Sequence, residues 1–275
     1  MYQFTIALES MHEDSNQGDR LVGADRVLAV LLALGEEPAA ATLDGPAPAV
    51  DRPKPTVHRA LAALCRAGLA EQVGRGTYQI ADEFIRLPLL NAARRPDAQR
   101  VLPALDELAR AFNETTHYAV LDGPSVVYRA KGDPEAGAVR LTSTIGGRNP
   151  AQRTAVGKAI LASPLLTRDA VAEWEATAAL EAGTPNSIRS IDTLHEELVR
   201  TRERGYAIDD HESEIGVNCI AFPVFLDGSS FPTGAVSVGA LAYRKPLKPL
   251  GDRVPELIRI ACETMGETSV DGGQE

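Results

Sequence analysis

The chain has 275 residues, of which 44% are hydrophobic and 24% are charged, a composition typical of a folded protein with one or two domains. The longest apolar run, residues 27–34, is too short to span a bilayer, and residues 1–19 lack the basic start and apolar segment of a secretory signal. The three cysteines show no CxxC spacing, which argues against a disulfide framework and a cysteine zinc site, so we expect a cytoplasmic protein with neither metal nor cofactor.

The first helix is predicted over residues 19–35, because this segment begins with an aspartate, carries closely spaced apolar residues and ends in a glycine. Residues 1–18 before it and residues 268–275 at the other end are expected to be disordered tails. Between residues 42 and 50, Pro46 and Pro48 predict that any helix is short or irregular, because proline fits only the first helical turn.

A basic segment follows in an otherwise acidic chain of net charge -10. Residues 52–95 contain eight Lys or Arg and three Asp or Glu, a local charge of +5, whereas the rest of the chain sums to -15. This asymmetry favours a polyanionic partner for the basic segment alone. The alternative is that the charges cluster by chance on a solvated surface.

Residues 56–67 are predicted to form an amphipathic helix. At about 100° per residue, Val57, Leu61 and Leu64 share one face, and Pro55 suits the first turn, where its missing N–H has no intrahelical partner. The opposite face presents a threonine, two arginines and a small residue. This combination fits the major groove of DNA, because arginine makes fork-shaped pairs with guanine or phosphate.

Two short strands are predicted after Gly68, joined by a glycine-permitted turn that carries Arg75. Helix, connector, basic helix and hairpin together indicate a winged helix-turn-helix over residues 19–80. The basic helix would enter the major groove, and the hairpin arginine would touch phosphate or the minor groove. The candidate DNA contacts are Lys54, Thr56, His58, Arg59, Arg66 and Arg75.

A linker helix is assigned to residues 81–98, and a second domain to residues 99–267. Within that domain, helical segments alternate with strand-like ones, which predicts an α+β domain built on one mostly antiparallel sheet. The strand-like runs are 116–123, 125–132, 139–147, 219–226 and 233–242, and the helical runs are 153–163, 167–180, 191–204 and 253–266.

The pair Gly157 and Lys158 suggests a phosphate-binding loop, but the pattern is incomplete. Gln152 and Ala159 stand where that loop requires a glycine and a hydroxyl residue. Nucleotide hydrolysis is therefore rejected, and Lys158 is expected to be an exposed or helix-end charge.

The acidic stretch 209–214 contains carboxylates and a histidine that could hold a metal, but no spacing closes a ligand set, which favours a solvated turn. Cys219 lies in an apolar run and is typical of a small buried hydrophobe. His211 is its nearest histidine, yet no oxyanion motif or orienting group accompanies the pair. We therefore predict no enzymatic activity and no catalytic residue.

The segments PKPTVHRALAAL (53–64) and GLAEQVGRGTYQI (68–80) closely resemble the DNA-binding domain of IclR-type bacterial transcriptional regulators. Three further blocks are similar to the same family and follow in the same order: 145–163, 202–224 and 234–240. The resemblance implies a GAF-like effector-binding domain and a homodimer formed through the N-terminal domains, or a dimer of dimers. Pro55 replaces a serine of the family, so a phosphate contact by that hydroxyl would pass to Thr56.

The resemblance also implies an effector site. It places Asp209, Cys219 and Ser237 on the wall of a pocket. Gly146 and Gly147 match a loop whose backbone N–H groups can hold a carboxylate without any side chain.

Two departures from the family pattern leave the effector chemistry open, because Gly239 replaces a serine and Gln152 replaces a histidine. We expect Ile145, Val217 and Val236 to supply an apolar cavity around the polar groups. The effector is predicted to be a small polar or anionic metabolite, with hydroxy or amino acids favoured.

These patterns predict an IclR-type regulator that binds double-stranded operator DNA and a small-molecule effector, without a membrane partner. The alternative is a metabolite-binding module whose atypical helix-turn-helix has lost operator recognition and which acts through protein contacts.

Overall fold

A computed structural model describes residues 23–37, 39–42, 53–92, 97–134, 141, 143–178, 180, 183–226 and 228–265. The chain divides into two compact units, Met1–Arg95 and Pro96–Glu275. Both predicted tails, and the stretch that contains Pro46 and Pro48, lie outside the described residues.

The N-terminal unit combines helices with a small antiparallel sheet of order β1-β3-β2. The helix predicted from residue 19 is observed from Ala24 onward. The described elements are α1 (Ala24–Gly35), β1 (Ala41–Thr42), α2 (Lys54–Arg66), β2 (Ala70–Gly74), β3 (Thr77–Ile80) and α3 (Asp82–Ala92).

The basic helix α2 has the apolar face that its sequence predicts. Val57, Leu61 and Leu64 are buried in one core with the apolar residues of α1. Each such side chain contributes about 1.5–3 kcal/mol when fully buried. The chain turns away after the helix at Gly68, whose φ of 73° lets the Leu69 N–H donate to the Leu64 carbonyl oxygen at 3.0 Å.

The hairpin β2–β3 follows in antiparallel register, with Ala70 opposite Ile80. Its turn uses Gly76 at a φ of 73°, a conformation that glycine adopts without strain. The register shifts between Gln72 and Gly74, so β2 carries a bulge next to the turn.

The C-terminal unit is built on a six-stranded antiparallel sheet of order β6-β5-β4-β9-β8-β7, which confirms the predicted α+β class. Its described elements are α4 (Asp97–Phe112), β4 (Thr115–Asp122), β5 (Ser125–Gly132), β6 (Arg148–Pro150), a 3-10 turn (Ala151–Arg153), α5 (Ala155–Leu161), α6 (Arg168–Ala178), α7 (Ile191–Arg204), β7 (Ala207–Asp210), β8 (Val217–Val224), β9 (Gly234–Leu241), α8 (Leu247–Gly251) and α9 (Val254–Met265).

The prediction of a strand over residues 139–147 is wrong for the part of this range that the structure describes. Leu141 and residues 143–147 form a loop and a turn, and strand pairing begins only at Arg148. The alternation of apolar and polar residues in this stretch imitates a strand, but the Gly147 N–H closes a turn onto the Thr144 carbonyl oxygen at 3.0 Å.

The two faces of the six-stranded sheet differ in the size of their side chains. One face, which we call the large-residue face, packs against α4 and α9. The other, the small-residue face, packs against α5, α6 and α7 and carries alanines at the equivalent positions. The contrast is between Tyr118, Val120, Ile220, Phe222, Val236 and Val238 on the first face and Ala119, Ala207, Ala221 and Ala235 on the second.

The structure gives a steric reason for Gly157, the glycine of the incomplete phosphate-loop pattern. A Cβ built at this position would lie 2.1 Å from the carbonyl oxygen of Ala151, so only glycine lets α5 pack this closely on the 3-10 turn. Thr154 is the N-cap of α5, and its hydroxyl oxygen accepts a hydrogen bond from the Gly157 N–H at 3.0 Å. The role of this glycine is therefore steric.

We expect Gly157→Ala to destabilise the C-terminal unit by roughly 1–3 kcal/mol, because α5 must shift to admit the extra carbon. Urea unfolding can be followed through the fluorescence of Trp174, the single tryptophan, which packs in the core on the small-residue face. Gly251→Ala, in a helix of the same unit, is the matched control, since a Cβ there makes only ordinary contacts, with Tyr206 Oη at 3.6 Å and Ile220 Cδ1 at 3.9 Å. An unchanged unfolding midpoint for Gly157→Ala would show that the contact is not limiting.

Candidate functional site

The solvent-facing side of α2 gathers the predicted DNA contacts. Lys54, His58, Arg59 and Arg66 are exposed, and Thr56 is half-buried. The Arg59 Nε donates to the Pro55 carbonyl oxygen at 3.4 Å, one helical turn away. The side chains thus lie opposite the buried seam of the helix, as a groove-binding helix requires.

Arg75 lies at the exposed tip of the β2–β3 hairpin. Val73, which was not among the predicted contacts, is 50% exposed on the same hairpin. Strand alternation could not reveal it, because the bulge between Gln72 and Gly74 changes the register at this point.

Strand register places the effector-site candidates on the small-residue face. Asp209 of β7 is the direct partner of Cys219 of β8, which in turn pairs with Gly239 of β9. In the adjacent row, Ser237 of β9 pairs with His117 of β4. The structure therefore brings Asp209, Cys219 and Ser237 together, and it adds His117, which no sequence pattern indicated.

Asp209 is almost fully buried and is held by its own loop. Its Oδ1 accepts from the N–H groups of Glu212 and Ser213 at 2.7 and 3.2 Å, and its Oδ2 accepts from the Ser213 hydroxyl. Burial raises the pKa of the Asp209 carboxyl, and these hydrogen bonds oppose the shift. The carboxylate therefore shapes the end of β7 in addition to facing the site.

The Gly146–Gly147 loop does not offer the free backbone donors that were expected of it. The Gly146 N–H donates to the Tyr128 carbonyl oxygen at 2.8 Å, and the Gly147 N–H donates to the Thr144 carbonyl oxygen at 3.0 Å. Both groups are therefore engaged within the chain. The loop extends the pairing of β5 rather than presenting an open anion cradle.

The expected apolar lining is also only partly correct. Val236 lies in the core on the large-residue face, because it alternates with Ser237 along β9. Ile145 is 65% exposed to solvent rather than enclosed. Val217 is buried on the same side of β8 as Cys219.

The absence of a side chain at Gly239 shapes the surroundings of Cys219. A Cβ at position 239 would lie 2.9 Å from the Leu141 Cδ1 and 3.0 Å from the Cys219 Sγ, so Leu141 fills the space beside the thiol. Burial raises the pKa of the Cys219 thiol well above its ordinary value, and the Asp209 carboxylate raises it further. A thiol that remains protonated is a poor nucleophile.

His117 lies beside Tyr128, with ring centroids 4.9 Å apart, and its Nε2 is 2.5 Å from the Ser143 Oγ. Burial lowers the pKa of the His117 imidazole to about 4, and the Lys131 ammonium lowers it further. The Lys131 ammonium also donates to the carbonyl oxygens of Leu141 and Ser143 at 2.9 and 3.0 Å. The imidazole is therefore neutral, and the segment over it is fixed to the sheet.

Lys158 contradicts the expectation of an exposed or helix-end charge. Its side chain is fully buried in α5, and its ammonium donates to the Glu212 Oε1. The acidic stretch 209–214 is likewise not solvated throughout, since Asp209 and Glu212 are buried while Asp210 and Glu214 are exposed. The ion pair joins residues 54 positions apart, a distance at which no local pattern connects them.

The loop that carries Glu212 is secured by residues 183–187. The Ser187 hydroxyl donates to the Glu212 carbonyl oxygen at 2.6 Å, and the Thr184 hydroxyl donates to the His211 carbonyl oxygen at 2.6 Å. Both sides of the loop are therefore fixed. Within the described part of the chain, no group of three or more His, Cys, Asp or Glu side chains is placed to hold a metal ion.

Two family models match the chain, the IclR helix-turn-helix domain at residues 23–74 and the C-terminal domain of the bacterial transcriptional regulator IclR at residues 93–263. The HTH-type transcriptional regulator KdgR of Escherichia coli (strain K12) is 33% identical over 215 residues, 76% of this chain and 78% of that protein. The HTH-type transcriptional regulator XynR of the same strain is 32% identical over 197 residues, 70% of this chain and 75% of that protein.

Solved structures share the fold. The crystal structure of Thermotoga maritima IclR has a TM-score of 0.67 at 23% identity and covers 88% of this chain and 96% of its own. A double mutant of the PobR inducer-binding domain from Acinetobacter, in complex with 3-hydroxybenzoic acid, has a TM-score of 0.54 at 28% identity and covers 61% and 97%. None of the described helices is long and apolar enough to cross a membrane.

The free energy of unfolding should depend on pH through the carboxyl group of Glu212. Burial raises the pKa of its carboxyl from 4.5 to about 7, and the Lys158 ammonium opposes this shift without cancelling it. Because the folded-state pKa is the higher one, the stabilisation from protonated Glu212 is present below pH 4.5 and is lost as the pH rises through 7.

We therefore expect the free energy of unfolding of Glu212→Gln, relative to wild type, to rise by up to about 3 kcal/mol between roughly pH 4.5 and pH 8. Urea unfolding followed through Trp174 fluorescence at several pH values measures this difference. Glu214→Gln, an exposed carboxylate of the same loop, is the matched control. Parallel pH profiles for Glu212→Gln and wild type would contradict the prediction.

Proposed function

The chain belongs to the IclR family of bacterial transcriptional regulators, which are not enzymes, and we propose that it binds operator DNA through α2 and the β2–β3 hairpin while sensing a small organic acid in its C-terminal unit. The observation that carries the proposal is the two-sided character of α2. One side is buried in the core of the unit, and the other exposes a row of cationic and hydrogen-bonding side chains.

The geometry of α2 supports major-groove binding. Arg59 and Arg66 are both exposed, and Ala63 between them keeps the helix surface narrow enough for close approach. Arg75 at the hairpin tip is placed to contact phosphate or the minor groove. The alternative is a metabolite-binding module that acts through protein contacts. Such a module does not need arginines along the exposed side of α2, and their presence favours the operator-binding regulator.

The polar row on the small-residue face supports a small-ligand site in the C-terminal unit. Asp209, Cys219, Ser237 and His117 lie on adjacent strands. The Gly146–Gly147 loop pairs with Tyr128 of β5, whose ring lies beside His117. The related PobR inducer-binding domain is solved with 3-hydroxybenzoic acid, which makes a small hydroxylated carboxylic acid the ligand class that we propose.

A homodimer formed through the N-terminal units is also proposed, because operator sites of this kind are bound by paired heads. The unit exposes large apolar side chains that a second copy would cover. Sedimentation of the full chain measures the assembly, and a monomer at micromolar concentration would contradict it. The large apolar side chains that the N-terminal unit exposes are Leu28 and Leu32 of α1 and Ile85, Leu89 and Leu90 of α3, each more than half exposed.

Arg59→Ala should reduce operator affinity by roughly 1–3 kcal/mol and relax the preference for the operator over unrelated DNA, if Arg59 pairs with a base. Arg75→Ala should weaken binding to all sequences alike and reduce the slope of affinity against salt by about one. Quantitative gel shifts with the chain's own upstream DNA measure both effects. Arg86→Ala, which removes an exposed arginine paired with Glu83 at 2.6 Å, is the matched charge control.

Unchanged operator affinity for a folded Arg59→Ala protein would remove α2 from the DNA interface. A loss at Arg75 that depends on sequence would instead mean that the hairpin reads bases.

Ser237→Ala should weaken binding of the organic acid while leaving operator affinity without ligand intact, because it removes one buried hydroxyl and little volume. Thermal shift reports the change, since a ligand that binds only the folded protein raises its melting temperature. Ser230→Ala, at an exposed serine, is the control. Equal stabilisation of Ser237→Ala and wild type by the acid would place the site elsewhere.

A further inference from the structure

Lys158 is a buried charge that the proposed function does not yet explain. Its side chain has no solvent exposure, although an ammonium group is strongly hydrated in water, and its partner is the Glu212 carboxylate. One role for such a pair is purely structural, in that it fastens α5 to the loop after β7. The groups around the pair favour a binding role.

Burial raises the pKa of three groups on other elements, and the Lys158 ammonium lowers it. They are Asp209 on β7, Glu197 on α7 and the thiol of Cys219 on β8. Asp209 is held by its own loop, and Glu197 is paired with two arginines of α7 at 2.5 and 3.1 Å. Both carboxylates therefore have donors other than Lys158.

Glu212 is the member of this cluster with an unsatisfied atom. Its Oε1 accepts from Lys158, whereas its Oε2 is buried without a hydrogen-bond donor among the described residues. A charged oxygen in that position is costly, and the cost falls when the carboxyl is protonated. Burial raises the pKa of Glu212 to about 7, so a proton is available to it near neutral pH.

We propose that Lys158 is the anion-binding residue of the effector site, where the carboxylate of a ligand replaces Glu212 as its partner while Glu212 takes up one proton from solvent. The inference rests on the proposed function, because it assumes that a ligand enters this site. The exchange is balanced, since one carboxylate anion and one proton enter together and the net charge of the buried cluster is unchanged. Lys158 keeps one carboxylate partner throughout.

The surroundings limit the ligand to a monocarboxylate. The carboxylates of Asp209 and Glu197 would repel a second negative charge, which disfavours dianions such as phosphate monoesters. The Glu212 N–H donates to the Asp209 Oδ1 at 2.7 Å, and Asp209 pairs with Cys219 across the strands, so the Lys158–Glu212 pair adjoins the polar row on the sheet. Ser237 then offers a hydroxyl to the body of the ligand.

Isothermal titration calorimetry of the full chain with acetate, lactate, benzoate and 3-hydroxybenzoate tests the exchange. Titrations in buffers of different ionisation enthalpy give affinity and proton uptake together. For wild type we expect the association constant of the acids that bind to fall about tenfold per pH unit above pH 7, with uptake approaching one proton. Glu212→Gln should bind the same acids without proton uptake, and about tenfold more tightly than wild type at about pH 8.

The double variant Lys158→Met/Glu212→Gln removes the cation without leaving a buried carboxylate unpaired, and Trp174 fluorescence checks that it folds. We expect it to bind the acids about ten- to a hundredfold more weakly than wild type. Its affinity for 3-hydroxybenzamide, an uncharged analogue, should match that of wild type. Glu212→Gln alone keeps the cation and tests the exchange even if the double variant does not fold.

Equal acid binding by wild type and the double variant would overturn the inference, and so would acid binding above pH 7 without proton uptake. Failure of every monocarboxylate to bind the wild-type chain would overturn it as well. Failure of the DNA-binding part of the proposed function has a separate signature, the absence of operator binding by the wild-type chain in gel shifts without ligand.

Discussion

The close approach of α5 to the six-stranded sheet is the constraint on which the C-terminal unit depends. The alanines of the small-residue face permit this approach, because they leave room between the sheet and the helix. Gly157 lets α5 also pack against the 3-10 turn that precedes it, where any side chain would overlap the Ala151 carbonyl oxygen. With the helix this close, Lys158 is driven under the surface and must find an acidic partner, which Glu212 supplies. Packing and charge at the site thus have one origin.

Much of this arrangement follows from local sequence, and the rest does not. The buried seam of α2 was predictable because helical period alone selects Val57, Leu61 and Leu64. The prediction that Val236 lines the effector cavity was wrong. Neighbouring residues of a strand point to opposite faces of the sheet, so Val236 and Ser237 cannot both face one cavity. The burial of Lys158 was beyond reach, because its partner is brought in by tertiary folding and leaves no periodic signal.

The two units solve different electrostatic problems. The N-terminal unit holds Arg59, Arg66 and Arg75 on the surface, where water and salt screen their charges and where a polyanion can displace the screening ions. The C-terminal unit places one cation in its interior, where screening is weak and each charge has to be matched. An exposed arginine can therefore be exchanged at little cost to stability, whereas a change at Lys158 alone leaves a buried carboxylate without its counter-charge.

The raised pKa of Cys219 has a consequence for the chemistry of the cell. Peroxides and electrophiles react with thiolates, and a thiol held in its neutral form beside Asp209 and Leu141 presents little thiolate to them. In the proposed effector site, a reactive cysteine at this position would couple the sensing of a metabolite to oxidative stress. The raised pKa therefore lowers the reactivity expected of Cys219 toward oxidants, while its Sγ can still serve as a small, soft contact beside Leu141.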